Sequence, residues 1–468
     1  MTGMQKQVFA CRNSSFVFHF FIILSPFRAK LVSLHGKLDK YMTQTEQLYA
    51  LFVAHPVVTT DSRDCPEGSI FFALKGETFD GNQYARAALE AGCSFAVVDN
   101  PEYAEEGNPH LVLVDDCLTA LQDLARYHRR KLGIPVIGIT GTNGKTTTKE
   151  LTAAVLAKKY NVLYTQGNFN NHIGVPKTLL RLNHQHQVAV IEMGANHLGE
   201  IKTLVNIVEP DYGLITTVGT AHLQGFGSFE GVLHTKGELY DYLRLHDGHA
   251  FVDETNEHLM GIAPGLQMIP YGNEGTVESC DPYMNINYEG RIIHTQLIGD
   301  YNKINVLAAL AVGQHFGVEI DDMIDALEAY TPSMGRSQLV QTEHNTLIVD
   351  AYNANPMSMK AALDNFRHLD LKNKMVILGD MGELGEESRK LHGKVLQKVY
   401  ECAFPMAWLV GKEFREAAKD LPDYSANILF FADVDEVKAA LAASPIEGRT
   451  ILIKASNSMK LHTLPEVL

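Results

Sequence analysis

Between Gly138 and Thr148 the chain reads GITGTNGKTTT, with PVI immediately before it and KELTAAVLAKKY immediately after it. Ile134 to Thr140 is apolar and β-branched, the pattern of a buried strand, while Lys149 to Tyr160 sets Leu151, Val155 and Leu156 on one side of a helix. A glycine-rich turn from strand into helix aims backbone N–H groups at the helix N-terminus, where hydrogen bonds and the helix dipole both favour a phosphate. On that reading Lys145 reaches the outer phosphates and the Thr146 hydroxyl holds Mg²⁺. The strict spacing GxxxxGK[ST] is not met, because five residues separate Gly138 from Gly144 and Gly141 falls two residues too late. A plain glycine turn with a surface lysine is the alternative. The pattern GxGxxG is absent, which counts against dinucleotide binding.

The chain has 468 residues, more than one core supports, and domain sizes of roughly 100 to 200 residues suggest about three domains. Residues 1–41 hold the apolar run SSFVFHFFIILSPF, which looks like a signal-peptide core but is too short to span a bilayer, contains a His and is followed by SPFRAK, a poor cleavage site. They are expected to be an N-terminal extension outside the fold. Residues 42–132 predict a small mixed α/β domain, with a helix from Met42, short strands at SIFFAL, FAVVD and LVLVD, and a surface loop at PEYAEEGNPH. In residues 133–330 the runs PVIGIT, VAVIEM and GLITTV alternate with helical patterns, which predicts a parallel sheet covered by helices. In residues 331–468 a third series (TLIVD, KMVILGD, AWLVG, ILFFAD, TILIKAS) predicts a doubly wound, Rossmann-like α/β domain. The expected fold class is therefore α/β in three domains.

With 46% hydrophobic and 20% charged residues the composition is that of a soluble globular protein. The formal net charge of -15 argues against a nucleic-acid or anionic-membrane partner, so an anionic substrate must meet a local cluster of Lys, Arg and backbone N–H groups. Cysteines at 11, 65, 93, 117, 280 and 402 show no CxxC spacing, which suits free thiols in a reducing compartment. Two strand ends add to the phosphate loop. VAVIEM puts Glu192 at the carboxyl end of one run, and GLITTVGTAH puts His222 just past the end of another, where parallel strands open into one crevice. Together they read as a Mg²⁺ site. Singly, Glu192 reads as a capping or solvated residue and His222 as a structural histidine.

Six long, ordered motifs carry a family resemblance: GITGTNGKTTT, GNFNNHIGVPKTLL (167–180), EMGANHLGEI (192–201), VGTAHLQGFGSFEGVLHTKGEL (218–239), VDAYNANPMSMKAAL (349–363) and LGDMGELG (378–385). Together they resemble the Mur ligases, and among these the dipeptide-adding members, from about Asp61 to Lys460. The resemblance implies a cytoplasmic, monomeric, ATP- and Mg²⁺-dependent amide ligase of peptidoglycan precursor synthesis. Its substrates would be UDP-N-acetylmuramoyl-tripeptide and D-alanyl-D-alanine, with no nucleic-acid or membrane partner. The tripeptide carboxylate would attack the γ-phosphate of ATP to give an acyl phosphate, and the dipeptide amine would then displace phosphate. The three domains would bind the UDP-substrate, bind ATP and complete the ligase site, in that order.

Residue by residue, the resemblance implies that Gly141, Thr142, Asn143, Gly144, Lys145, Thr146 and Thr147 cradle ATP, and that Thr146, Glu192 and His222 hold metal. Lys236 in TKGEL matches a lysine that is carbamylated in several members, where it helps hold a second Mg²⁺; an unmodified lysine is the alternative. Asn305 matches an adenine contact and shares a helix face with Asn302, although Asn is also a good helix cap. Arg336 resembles an arginine that reaches the phosphates, with an ordinary surface charge as the alternative, and Asp350 matches a ribose contact. Ser62 and Arg63 would face the UDP-sugar, and Asn168, Asn170, Asn171, Tyr352 and Asn353 would face the substrate. Three places depart from the family pattern: KASN for KGSR at 454–457, HTKGEL for AKGEL, and NQY after DG where DGH is common. The rivals are a related ligase with another acceptor, a P-loop ATPase or kinase, and a nucleotide-binding module without catalysis.

Overall fold

The computed structural model describes residues 42–333, 335–420 and 427–468; the expectation for residues 1–41 lies outside the described residues. The described residues divide into two compact units after Ala120, and the boundary falls inside one helix, Cys117–Leu132. In the first unit, helix α1 (Gln44–Ala54) starts in a capping box in which the Glu46 N–H meets Thr43 Oγ1 at 3.3 Å and the Thr43 N–H meets Glu46 Oε2 at 2.8 Å. Strands β1 (Val58–Thr59), β2 (Ile70–Phe72), β3 (Phe95–Val98) and β4 (Leu111–Leu113) form a parallel sheet in chain order. Three of the four match the strands expected from the apolar runs. Asn82, in the departing NQY, is fully buried and donates to Asp80 Oδ1 at 2.7 Å and Asp99 Oδ1 at 2.8 Å. The departure therefore has a structural use.

The second unit holds two larger sheets. The first comprises β5 (Val136–Thr140), β6 (Val162–Tyr164), β7 (Val188–Glu192), β8 (Tyr212–Ile215), β9 (His249–Asp253) and β10 (Gln267–Tyr271), all parallel, in the order β10-β9-β8-β5-β7-β6. Every residue of β5 is buried, which is why its sequence is a continuous apolar run. From β5 the chain passes to the edge strand β6, returns to β7 beside β5, then crosses to β8 on the other side. This reversal opens a crevice at the carboxyl ends of β7, β5 and β8. Helix α2 (Lys145–Ala157) follows β5, and its start at Lys145 precedes the first residue expected from periodicity, Lys149. Thr146, Thr147 and Thr148 hide the first turn, because threonine has poor helix propensity.

Periodicity also gives no warning of the antiparallel meander β11 (Gly275–Cys280), β12 (Tyr283–Tyr288) and β13 (Arg291–Ile298). It packs Met284, Ile286, Ile293 and Leu297 into the same core as Ile137, Ile139, Leu151 and Val155. Helix α3 (Lys303–His315) then lies on α2 at Gly313, where an added Cβ would stand 2.5 Å from Val155 Cγ1 and 2.4 Å from Met323 Sδ.

The last sheet comprises β14 (Gln338–Gln341), β15 (Thr346–Asp350), β16 (Lys374–Gly379), β17 (Met406–Val410), β18 (Ile428–Phe431) and β19 (Thr450–Lys454), in the order β14-β15-β19-β16-β17-β18. It is parallel except for the edge strand β14, which pairs antiparallel with β15. Both faces are buried: Ile348, Val376 and Leu452 enter one core, and Leu347, Ile377 and Ile451 the other. Helices α4 (Pro356–His368), α5 (Ser388–Cys402), α6 (Lys412–Ala418) and α7 (Val434–Ala443) complete this layer. The expected α/β class and its parallel sheets are observed.

Gly313→Ala is expected to lower the urea-unfolding midpoint of the full chain. Overpacking against Val155 and Met323 costs about 1–3 kcal/mol, against a propensity gain of roughly 0.5–1 kcal/mol. A raised midpoint would contradict this account of the contact between α2 and α3.

Candidate active site

The turn between β5 and α2 is shaped by two glycines. Gly141 has φ +144° and a Cβ there would lie 2.1 Å from Thr216 Oγ1; Gly144 has φ +80° and its Cβ would lie 2.5 Å from Asn305 Oδ1. The loop is tied to the end of β8. The Asn143 N–H meets Thr217 Oγ1 at 2.9 Å, Thr216 Oγ1 donates to the Asn143 carbonyl at 2.6 Å, and the Thr142 N–H meets the Thr217 carbonyl at 2.8 Å. Lys145 Nζ folds back onto the carbonyls of Gly141 at 2.7 Å and Thr142 at 3.1 Å. Burial lowers its pKa, Arg336 adds to the lowering, and Glu192 opposes it.

Glu192, at the end of β7, is buried rather than solvated and caps no helix. Its Oε2 accepts from Thr146 Oγ1 at 3.0 Å and its Oε1 from Asn170 Nδ2 at 2.8 Å, with Lys149 Nζ 3.7 Å away. Thr146 and Glu192 thus place two hard oxygen donors side by side at a phosphate loop, a set that suits Mg²⁺ sharing its shell with phosphate and water. Among the described residues no group of three or more His, Cys, Asp and Glu gathers into a metal cage. His222 has φ +51°, and its Nδ1 pairs with Glu383 Oε2 from the last sheet layer. The Gln224 N–H meets the Glu383 carbonyl at 3.3 Å.

Lys236 is buried, donates to the Ala195 carbonyl at 3.2 Å and lies over the Phe226 ring at 5.2 Å. Burial pushes its pKa well below 10.5, helped by Lys145 and opposed by Glu200 and Glu238. Asn302 and Asn305 form a relay rather than a cap. Thr148 Oγ1 donates to Asn305 Oδ1 at 3.0 Å, Asn305 Nδ2 to Asn302 Oδ1 at 2.8 Å, and Asn302 Nδ2 to the Ile298 carbonyl at 2.9 Å.

The last layer supplies the opposite wall. The Arg336 guanidinium lies 3.9 Å from the centre of the Tyr352 ring, and its buried Nε has no hydrogen-bond partner among the described residues. Lys454 Nζ donates to Asp350 Oδ2 at 2.5 Å. Asn355 caps α4 through the Ser358 N–H at 2.9 Å and donates its own Nδ2 to Asn143 Oδ1 at 2.7 Å, so the Asn355-Pro356 turn also tethers the phosphate loop.

These walls enclose a cavity of about 680 Å³. It brings together Thr142, Asn143, Gly144, Lys145, Thr146, Thr147, Asn168, Asn170, Asn171, Glu192, His222, Asn302, Asn305, Arg336, Asp350, Tyr352 and Asn353. Gly141 and Lys236 stand outside the lining. Every lining residue comes from the second unit, and Ser62 and Arg63 belong to the first. There Arg63 is held by Asp61 through Nε at 2.9 Å and Nη2 at 2.8 Å. Sequence reasoning missed Tyr301, Lys454 and Glu383. Lys454 ends a parallel strand, the signal that did find Glu192, while Glu383 lies in LGDMGELG without an assigned role. The five described cysteines, Cys65, Cys93, Cys117, Cys280 and Cys402, are free thiols. Among the described residues no helix is long and apolar enough to cross a membrane.

Three family models match the chain: "Mur ligase family, catalytic domain" over residues 56–129, "Mur ligase middle domain" over 139–313 and "Mur ligase, glutamate ligase domain" over 335–457. A UDP-N-acetylmuramoyl-tripeptide–D-alanyl-D-alanine ligase of Bacillus subtilis is 35% identical over 427 residues, 87% of this chain and 92% of the relative. A crystal structure of MurF from Acinetobacter baumannii superposes with a TM-score of 0.79 at 31% identity, covering 87% of this chain and 92% of that one. A MurF ligase from Thermotoga maritima in complex with ADP gives 0.77 at 24% identity, covering 88% and 96%, a likeness of fold.

Gly144→Ala is expected to weaken nucleoside-triphosphate binding at least tenfold by titration calorimetry, because φ +80° and the contact with Asn305 Oδ1 both oppose a methyl group. Unchanged affinity would remove Gly144 from the phosphate cradle.

Proposed function

This chain belongs to the Mur ligase family, and on that premise we propose that it joins D-alanyl-D-alanine to UDP-N-acetylmuramoyl-tripeptide with ATP, in cytoplasmic synthesis of peptidoglycan precursors. The observation that carries the proposal is the single cavity in which the loop Thr142–Thr147, Glu192, Arg336, Tyr352 and Asp350 meet. We take residues 42–132 as the UDP-substrate domain with Ser62 and Arg63, 133–330 as the ATP domain, 331–468 as the closing ligase domain, and the enzyme as a monomer.

The chemistry requires two anions to meet, and a labile mixed anhydride to be kept from water. The N–H groups of the first turn of α2 and Lys145 would hold the triphosphate, and the Arg336 guanidinium, stacked on Tyr352 in the same lining, would meet the transferring phosphoryl group. Asp350, paired with Lys454, would accept from a ribose hydroxyl, and Asn305 would meet adenine. Thr146 and Glu192 would hold Mg²⁺, together with His222, whose Nδ1 contact with Glu383 leaves Nε2 free as a ligand. Bound there, Mg²⁺ would neutralise phosphate charge. Asn168, Asn170, Asn171, Tyr352 and Asn353 line the same cavity and would face the tripeptide end and the dipeptide. Attack of the tripeptide carboxylate on the γ-phosphorus releases ADP. Attack of the dipeptide amine on the acyl carbon then expels phosphate and forms the amide. Lys236 is proposed to be carbamylated, since burial favours the neutral amine, the form that adds carbon dioxide.

ATP-dependent phosphate release is expected only when both UDP-muramoyl tripeptide and D-alanyl-D-alanine are present, with a UDP-pentapeptide product by mass spectrometry. Release indifferent to the dipeptide would leave an ATPase or a ligase with another acceptor. Lys145→Ala and Glu192→Ala are each expected to abolish ligation while circular dichroism stays native, and normal turnover in either would overturn the site assignment. In ¹³C-bicarbonate the enzyme is expected to show a carbamate carbon resonance that Lys236→Ala lacks; its absence from the unaltered enzyme would mean a plain lysine.

A further inference from the structure

Behind the wall supplied by the last sheet lies a buried polar cluster that no step above uses. His392 of α5 is fully buried, with its ring edge-on to Phe414 at 4.8 Å. Its Nε2 accepts the Met381 backbone N–H at 3.0 Å, and its Nδ1 faces the Ser388 carbonyl at 2.8 Å. An acceptor at Nε2 and a donor at Nδ1 together define one tautomer of the neutral ring. Beside it, Asp380 accepts the N–H groups of Glu413 at 3.0 Å and Phe414 at 3.1 Å, while its carbonyl accepts from Ser456 Oγ at 2.7 Å. The cluster therefore ties the end of β16 to α5, to α6 and to the segment that follows Lys454.

Three residues beyond Asp380, Glu383 leaves this anchored base and reaches His222. Both partners hold left-handed backbone, with φ +59° at Glu383 and +51° at His222. Residues other than glycine avoid that region, so the contact persists only while the chain on each side is held in place. On the Glu383 side, the Met381 N–H on His392 fixes the backbone two residues back, while Leu384 is buried one residue on.

We propose that His392 is a positioning residue of the ligase site, holding Met381 in its neutral form and thereby keeping Glu383 on His222. This rests on the ligase reading above. A proton added at Nε2 would set one donor against another at the Met381 N–H and release the segment. The charged groups that face the ring are Asp380, whose Oδ1 is 3.7 Å from Nε2, and Glu413, which also accepts from Ser388 Oγ at 2.6 Å. Burial lowers the imidazole pKa from 6.5, against the pull of both carboxylates. A depressed pKa means that the unfolded chain binds the proton first. The contact is thus intact above about 6.5 and is lost as the pH falls through the depressed value.

The test is ligation by the full-length enzyme over a pH range from roughly 5 to 8.5, comparing the unaltered chain with His392→Gln and His392→Leu. Glutamine offers an acceptor near Nε2 without a titrating proton. His392→Leu is expected to lower kcat roughly tenfold to 100-fold at neutral pH with KM for the UDP-tripeptide within about twofold. His392→Gln is expected to retain most of kcat there and to shift the acid limb downward. In a Glu383→Ala background, His392→Leu should add less than about twofold, because both changes break one linkage. A His392→Leu enzyme as active as the unaltered chain, or a His392→Gln acid limb that superimposes on it, overturns the proposal. Should His392→Leu not fold, the His392→Gln profile decides alone. Absence of ligation by the unaltered chain would instead refute the ligase reading.

Discussion

The close approach at Gly141 is the contact on which the site depends. A β-carbon there would occupy the position of Thr216 Oγ1, so only glycine lets the turn after β5 lie against the end of β8. Once it does, Thr216 and Thr217 lock Thr142 and Asn143, and α2 starts at Lys145 with its first turn lining the cavity. Thr146 is then carried to Glu192 and Thr148 to Asn305, which joins two residues of the first helical turn to the end of β7 and the start of α3. The geometry of the turn after β5, the Thr146–Glu192 contact and the Asn305 relay all follow from one steric allowance.

A chain with a net charge of -15 must bind anionic substrates through local arrangement. The cavity concentrates Lys145, Arg336 and Lys454 among Glu192 and Asp350, and each cation has a distinct state. Lys454 is committed to Asp350, Lys145 rests on backbone carbonyls that a phosphate would displace, and Arg336 is supported by an aromatic face with one N–H unclaimed. Such preorganised donors lose little freedom when a phosphoryl group arrives, which is the basis of electrostatic catalysis.

The buried parallel strands were legible because both faces meet a core, so β5, β7, β15, β16 and β19 read as unbroken apolar runs. The meander β11 to β13 offers no such run: β12 buries Met284, Ile286 and Tyr288 and shows Tyr283, Asn285 and Asn287 to the other side, so its only signal is a short alternation. The site shows the same division. The loop residues and Glu192 announce themselves through their place at strand ends. Glu383 and His392 do not, because their roles arise where distant segments meet: Glu383 pairs with a residue 161 positions away, and His392 acts on a backbone N–H. Asn302 and Asn305 lie between these cases. Their spacing was visible, but the relay to Thr148 came only with the packing of α3 on α2.

The order of strands in the last sheet bears on how the chain is made. β19 follows β14 to β18 along the chain, yet it lies between β15 and β16 and pairs with both. While the ribosome is still adding residues before Thr450, β15 and β16 have no common neighbour, and two apolar strand edges wait open. The earlier sheets can close during elongation, but this one cannot. Asp350 and the Glu383 segment therefore acquire their positions only after β19 has emerged, so the nascent chain holds the turn after β5 before it has the wall that faces it.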